Sequence, residues 1–161
     1  MSTSESSDDK ILIKSQRLTI SELQTPVIQV WEGVLALPIV GVIDTARSME
    51  MGEALLQRIV DTNSEIVLLD ITGVPVVDTS VARHLLELVQ GARLLGAEVL
   101  IVGVSSRTAM TLVHLGVDLG GVTTRTTMAK GLALAFARLG LEVIPRRTRQ
   151  TDSAEADGQI L

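Results

Sequence analysis

The chain has 161 residues, of which 46% are hydrophobic, with one Trp, one Phe, no Tyr and a formal net charge of -5. That length fits one domain with an aliphatic core; the lack of rings excludes base stacking as a main binding mode, and the acidic balance argues against phosphate-backbone binding. Zero cysteines remove disulfides, thiol catalysis and thiolate metal sites together.

The first nine residues are Ser- and Asp-rich and are expected to be disordered. Glu5, Asp8 and Asp9 give no basic start, and no apolar signal core follows. Residues 10–24 carry a loose helical pattern through Ile11, Leu18 and Leu23, read as a flexible or helical leader. From Pro26 the pattern becomes compact. Val27 to Trp31 predicts a strand, Glu32-Gly33 a turn, and Val34 to Ile39 a second strand of a hairpin. Asp44 opens a helix to about Val60, with Leu56, Ile59 and Val60 on its buried face and Leu55 on the flank.

Ile66 to Ile71 predicts a strand buried on both faces. Asp78 or Thr79 then caps a helix that ends at Leu95, before Gly96. Its apolar positions Ala82, Leu85, Leu86, Val89 and Ala92 follow the helical period. Val99 to Val104 is the next strand, and Ser105 or Ser106 caps a short helix to Leu115. Val122 to Thr124 is a short strand, and Thr126 to Leu139 the last helix. Val143-Ile144 is a candidate edge segment, and the chain beyond Pro145 is expected to be disordered. Helices alternating with buried strands predict an α/β domain, and the opening hairpin makes the sheet mixed.

The residues that carry chemistry are sparse. His84 and His114 fall on different predicted helices with no repeated ligand spacing, and a metal site needs at least three converging ligands, so none is expected. No G-x-S-x-G, Walker or G-x-G-x-x-G segment occurs; Gly116 to Gly121 has the wrong spacing for a dinucleotide cradle. The expectation is a protein with no enzyme activity and no cofactor. Asp70 ends a buried strand, as the phosphoacceptor of a receiver domain does. A receiver also needs an acidic pair after its first strand and a lysine after a later one. Neither is present, since Lys130 lies inside the last helix.

The segments Leu69 to Ala82 (LDITGVPVVDTSVA), Arg93 to Ser105 (RLLGAEVLIVGVS) and Leu112 to Leu132 resemble the STAS (anti-anti-sigma factor) family. Thr25 to Ser48 resembles the opening of its RsbR-type members, and Thr at position 79, in place of Ser, resembles the same branch. The resemblance implies a STAS fold over residues 25–145, a mixed β-sheet flanked by about four helices, between a leader (1–24) and a disordered tail (146–161). It implies a phosphorylatable scaffold of a stressosome or partner-switching pathway that controls a sigma-factor cascade. The implied partners are a Ser/Thr kinase of the histidine-kinase-like ATPase fold and other STAS proteins of the RsbS kind, in homo- or hetero-oligomers. Nucleic acid and membrane are not expected partners, and the expected location is cytoplasmic.

By the same resemblance the phosphorylation sites are Thr79 and Thr111, with Asp78, Ser80 and Arg107 as neighbours. Helical spacing puts Thr111 on one face with Arg107 and His114, and predicts it exposed, with Ala109, Leu112 and Val113 opposite. The plain alternatives are an N-cap for Thr79 and a solvated threonine for Thr111. The alternative functions are an unmodified scaffold and a receiver-like or nucleotide-binding α/β domain.

Overall fold

A computed structural model describes residues 26–147. The leader 1–24 and most of the tail lie outside the described residues, so the readings made there have no structural counterpart. The elements run β1 (Ile28–Trp31), β2 (Val34–Val40), α1 (Thr45–Thr62), β3 (Ile66–Gly73), α2 (Thr79–Leu94), β4 (Glu98–Val102), α3 (Ser106–His114), β5 (Thr123–Thr124) and α4 (Met128–Arg138).

One five-stranded sheet has the spatial order β1-β2-β3-β4-β5. β1 pairs antiparallel with β2; all other pairs are parallel. The β2–β3 register sets Leu37 beside Leu69, and the β3–β4 register sets Asp70 beside Val102. The central strands are apolar at consecutive positions because both faces are covered. Leu35, Leu37, Ile39, Leu69 and Ile101 face one cluster, which α1, α2 and Leu112 of α3 cover. Val34, Ala36, Leu68, Leu100 and Val102 face a second cluster under α4. Gly131 lets α4 sit close: a Cβ there would stand 3.3 Å from Leu68 Cδ2 and closer still to Val102.

Each of the four described α-helices starts with a side-chain cap. Asp44, Asp78, Ser105 and Thr127 accept from the amides of Arg47, Val81, Thr108 and Lys130, which satisfies donors that the first helical turn leaves without a partner.

Three expectations are corrected. Leu55, expected on the flank of α1, is at its buried centre with Met51 and Ile59, whereas Val60 is 55% exposed. The stripe is set by where the sheet lies, and Val60 is rotated past it toward α2 and solvent. The last helix begins at Met128 because Thr127 is spent as its cap. Val143 and Ile144 form no strand; both are exposed beyond α4.

Candidate functional site

In a βα connection the helix starts where the strand ends. α1, α2 and α3 therefore present their N-termini at the C-terminal edge of the parallel strands, together with their caps Asp44, Asp78 and Ser105. Thr79 is the first residue of α2, immediately after the cap, and is exposed, as is Ser80. Asp78 Oδ1 accepts from Val81 N at 2.8 Å. The cap is therefore Asp78 alone, and the Thr79 hydroxyl is left out of the capping bond.

Around this helix start the loops are held tightly. Asp70 Oδ1 accepts from Thr72 N at 2.9 Å and from Thr72 Oγ1 at 2.6 Å, an Asx-type turn at the end of β3. Gly103, at φ +82°, lies against that turn; a Cβ there would stand 2.6 Å from Thr72 N and 2.8 Å from Asp70 Oδ1. Asp70 thus organises the end of its strand through a bond to its own loop. On the same edge, Val40 (66% exposed), Val42 (76%) and Val76 (67%) are apolar and open to solvent. Exposed valines on the edge that also carries the exposed Thr79 form an apolar patch open to solvent. Sequence reading missed all three. The loop Val74-Pro75-Val76-Val77 carried no signal that separates them, since Val74 and Val77 are buried in the core and only Val76 is exposed.

Thr111 stands apart from this arrangement. It lies in the second turn of α3 and is half-buried, which corrects the expected exposure. Its Oγ1 donates to the backbone carbonyl of Arg107 at 2.9 Å. Of the three residues expected on the opposite, buried side, only Leu112 is buried; Ala109 is exposed and Val113 is 73% exposed. The short helix touches the core through one residue, so most of its surface is left to solvent.

His84 and His114 lie on α2 and α3. His84 is buried, with Nδ1 3.8 Å from Glu87 Oε2 and without a hydrogen-bond partner. Among the described residues, no three His, Cys, Asp or Glu side chains are grouped to hold a metal ion. No described helix is long and apolar enough to cross a membrane.

The fold and this edge define an α/β domain: a mixed sheet whose capped helix starts and apolar loops expose hydroxyls and valines at the C-terminal edge of the parallel strands. The STAS domain model matches residues 25–130, and the chain belongs to the STAS domain family. It is 40% identical over 132 residues to the RsbT co-antagonist protein RsbRA of Bacillus subtilis (strain 168), covering 82% of this chain and 48% of that protein. The chain thus spans about half the length of the curated relatives it matches. Among solved structures it resembles a Moorella thermoacetica RsbS variant with TM-score 0.63 and 28% identity, covering 73% of this chain and 99% of that one. A chain of the structure titled "Molecular architecture of the stressosome, a signal integration and transduction hub" matches with TM-score 0.58 and 28% identity, over 71% of this chain and 98% of that one.

Proposed function

We propose that this chain is a non-enzymatic scaffold and phospho-switch of a stressosome or partner-switching pathway, modified on Thr79 and Thr111 by a Ser/Thr kinase to control a stress-signalling cascade. The observation that carries this is the exposed Thr79 at the first position of α2, beside an Asp78 already committed to the cap. A phosphate there adds about -1.5 to -2 charge next to a fixed carboxylate. It can gain from the helix N-terminus, but Asp78 opposes part of that gain. The change is therefore felt mainly by a partner seated on Val40, Val42 and Val76, and less by the fold.

The relatives' name, RsbT co-antagonist, makes RsbT the first protein to test for binding. Incubation with a kinase of the histidine-kinase-like ATPase class and ATP, followed by intact mass and phosphopeptide mapping, tests the reading. Two phosphates, on Thr79 and Thr111, are expected. Modification only at Ser105, Ser106 or Thr123 to Thr127 would refute the site assignment, and no modification at all would leave a pure scaffold.

A further inference from the structure

A groove runs along the outer side of the α1–α2 pair. Its first stretch, about 310 Å³, lies between Met49, Gly52 and His84; the next lies between Leu56, Gly91 and Leu94; the last lies between Asn63, Glu65 and Gly96. Adjacent stretches share Glu53 and Leu56, then Val60 and Leu95, so they form one trench. Gly52 and Gly91 present no side chain to it, and a Cβ there would meet Leu88 at 3.6 Å and Leu56 at 3.3 Å. Its exposed apolar residues include Val60 (55%), Leu94 (89%) and Leu95 (45%). Its charged lining is Glu53, Glu65 and Glu87, with no Lys or Arg.

Among the described residues, the stretch after α4 has the opposite character. After α4, Leu141, Val143 (69%) and Ile144 (74%) are exposed and apolar, and Arg146 and Arg147 follow. Even with Glu142 this segment carries net positive charge. It leaves from the same edge of the sheet at which the trench ends. Leu141 N donates to Phe136 O, and Arg138 pairs with Glu98 at the start of β4. Glu65 and Gly96, at the trench end, immediately precede β3 and β4. In its own copy the segment departs from α4, which covers the face of the sheet opposite to α1 and α2.

We propose that Leu141 to Arg147 of one copy docks in the α1–α2 groove of a second copy. Val143 and Ile144 cover Val60, Leu94 and Leu95, and the two arginines meet Glu53 and Glu87. The lengths agree. At about 1.5 Å per helical residue, Glu53 stands roughly 10 Å along α1 from Val60. At about 3.3 Å per extended residue, Arg147 reaches roughly 10 Å beyond Ile144. The Asn63–Gly96 end of the groove and the start of the segment lie at the same edge of each copy, so exchange can be reciprocal and the dimer closed. This deepens the scaffold part of the proposed function and is independent of the phosphorylation part.

Sedimentation equilibrium of the full chain tests it. A dimer is expected. The double substitution Val143→Asp/Ile144→Asp should raise Kd about tenfold or more, with the denaturation midpoint unchanged at concentrations where both proteins are monomeric. Glu53→Arg/Glu87→Arg should weaken the dimer similarly, and adding Arg146→Glu/Arg147→Glu should restore it. A monomeric wild type would overturn the proposal. So would a dimer indifferent to both sets of variants, or association only with a different STAS protein. A monomer in which Val143→Asp/Ile144→Asp speeds amide exchange in α1 and α2 would assign the groove to its own chain, against the proposal. Thr79→Ala/Thr111→Ala should leave the dimer intact, so failure of phosphorylation and failure of exchange are read separately.

Discussion

Asp78 and Thr79 are consecutive residues with divided tasks: the Asp78 carboxylate closes the first turn of α2 on Val81 N at 2.8 Å, and the Thr79 hydroxyl is outside that bond. Stability of the helix start and availability of the Thr79 hydroxyl are therefore separable by mutation.

Asp78→Ala should cost about 1 kcal/mol, the usual value of a lost N-cap. Thr79→Ala should change stability by less than about 0.5 kcal/mol, because an exposed first-turn residue with no capping bond has little to lose. Urea denaturation of both variants checks the pair. Equal losses would show that the Thr79 hydroxyl shares the capping role.

Thr79→Asp should fold normally and weaken kinase binding, since it places a second carboxylate beside Asp78 on the apolar edge. Binding is read by calorimetry, with circular dichroism to confirm the fold. Affinity equal to the wild type would place the docking surface elsewhere.

Thr111→Ala should remove one phosphate in the kinase assay and leave stability within about 0.5 kcal/mol. The lost Oγ1 bond to the Arg107 carbonyl is local, and Ala is the better helix former. Intact mass and a melting curve of the same sample test both parts.

Leu55→Ala should cost about 2–5 kcal/mol, as a fully buried leucine in a close-packed core does. Val60→Ala, on the same helix, should cost about 0.5 kcal/mol or less in the monomer, because Val60 is 55% exposed. Reversed magnitudes would mean that α1 is rotated about its axis.

Gly103→Ala should destabilise by more than Gly96→Ala. Both glycines have positive φ, +82° and +84°, and both substitutions pay the left-handed backbone cost of about 1–2 kcal/mol. Only at Gly103 would the new Cβ also stand 2.6 Å from Thr72 N. Paired denaturation curves separate the steric part from the conformational part.

The local grammar of this chain was open to reading. Alternating and continuous apolar runs marked the strands; Asp44, the pair Asp78-Thr79 and the pair Ser105-Ser106 marked the helix starts, and the structure chose Asp78 and Ser105 as the caps. Gly96, Gly116 and Gly140 marked the helix stops with φ of +84°, +65° and +75°. These are short-range effects, settled within one turn of chain, and the order of elements follows from them. What only the tertiary structure decided was which side of each helix meets the sheet. Leu55 rather than Val60 is central to α1, Val113 is in solvent, and Thr111 is half-buried with its hydroxyl on the Arg107 carbonyl. Likewise no local pattern shows that Val40, Val42 and Val76 gather at one edge beside Thr79, or that Gly103 must lack a Cβ for the Asp70–Thr72 turn. Helical period fixes which residues share a face but leaves the rotation of the helix free, and that rotation is chosen by packing against strands distant in sequence.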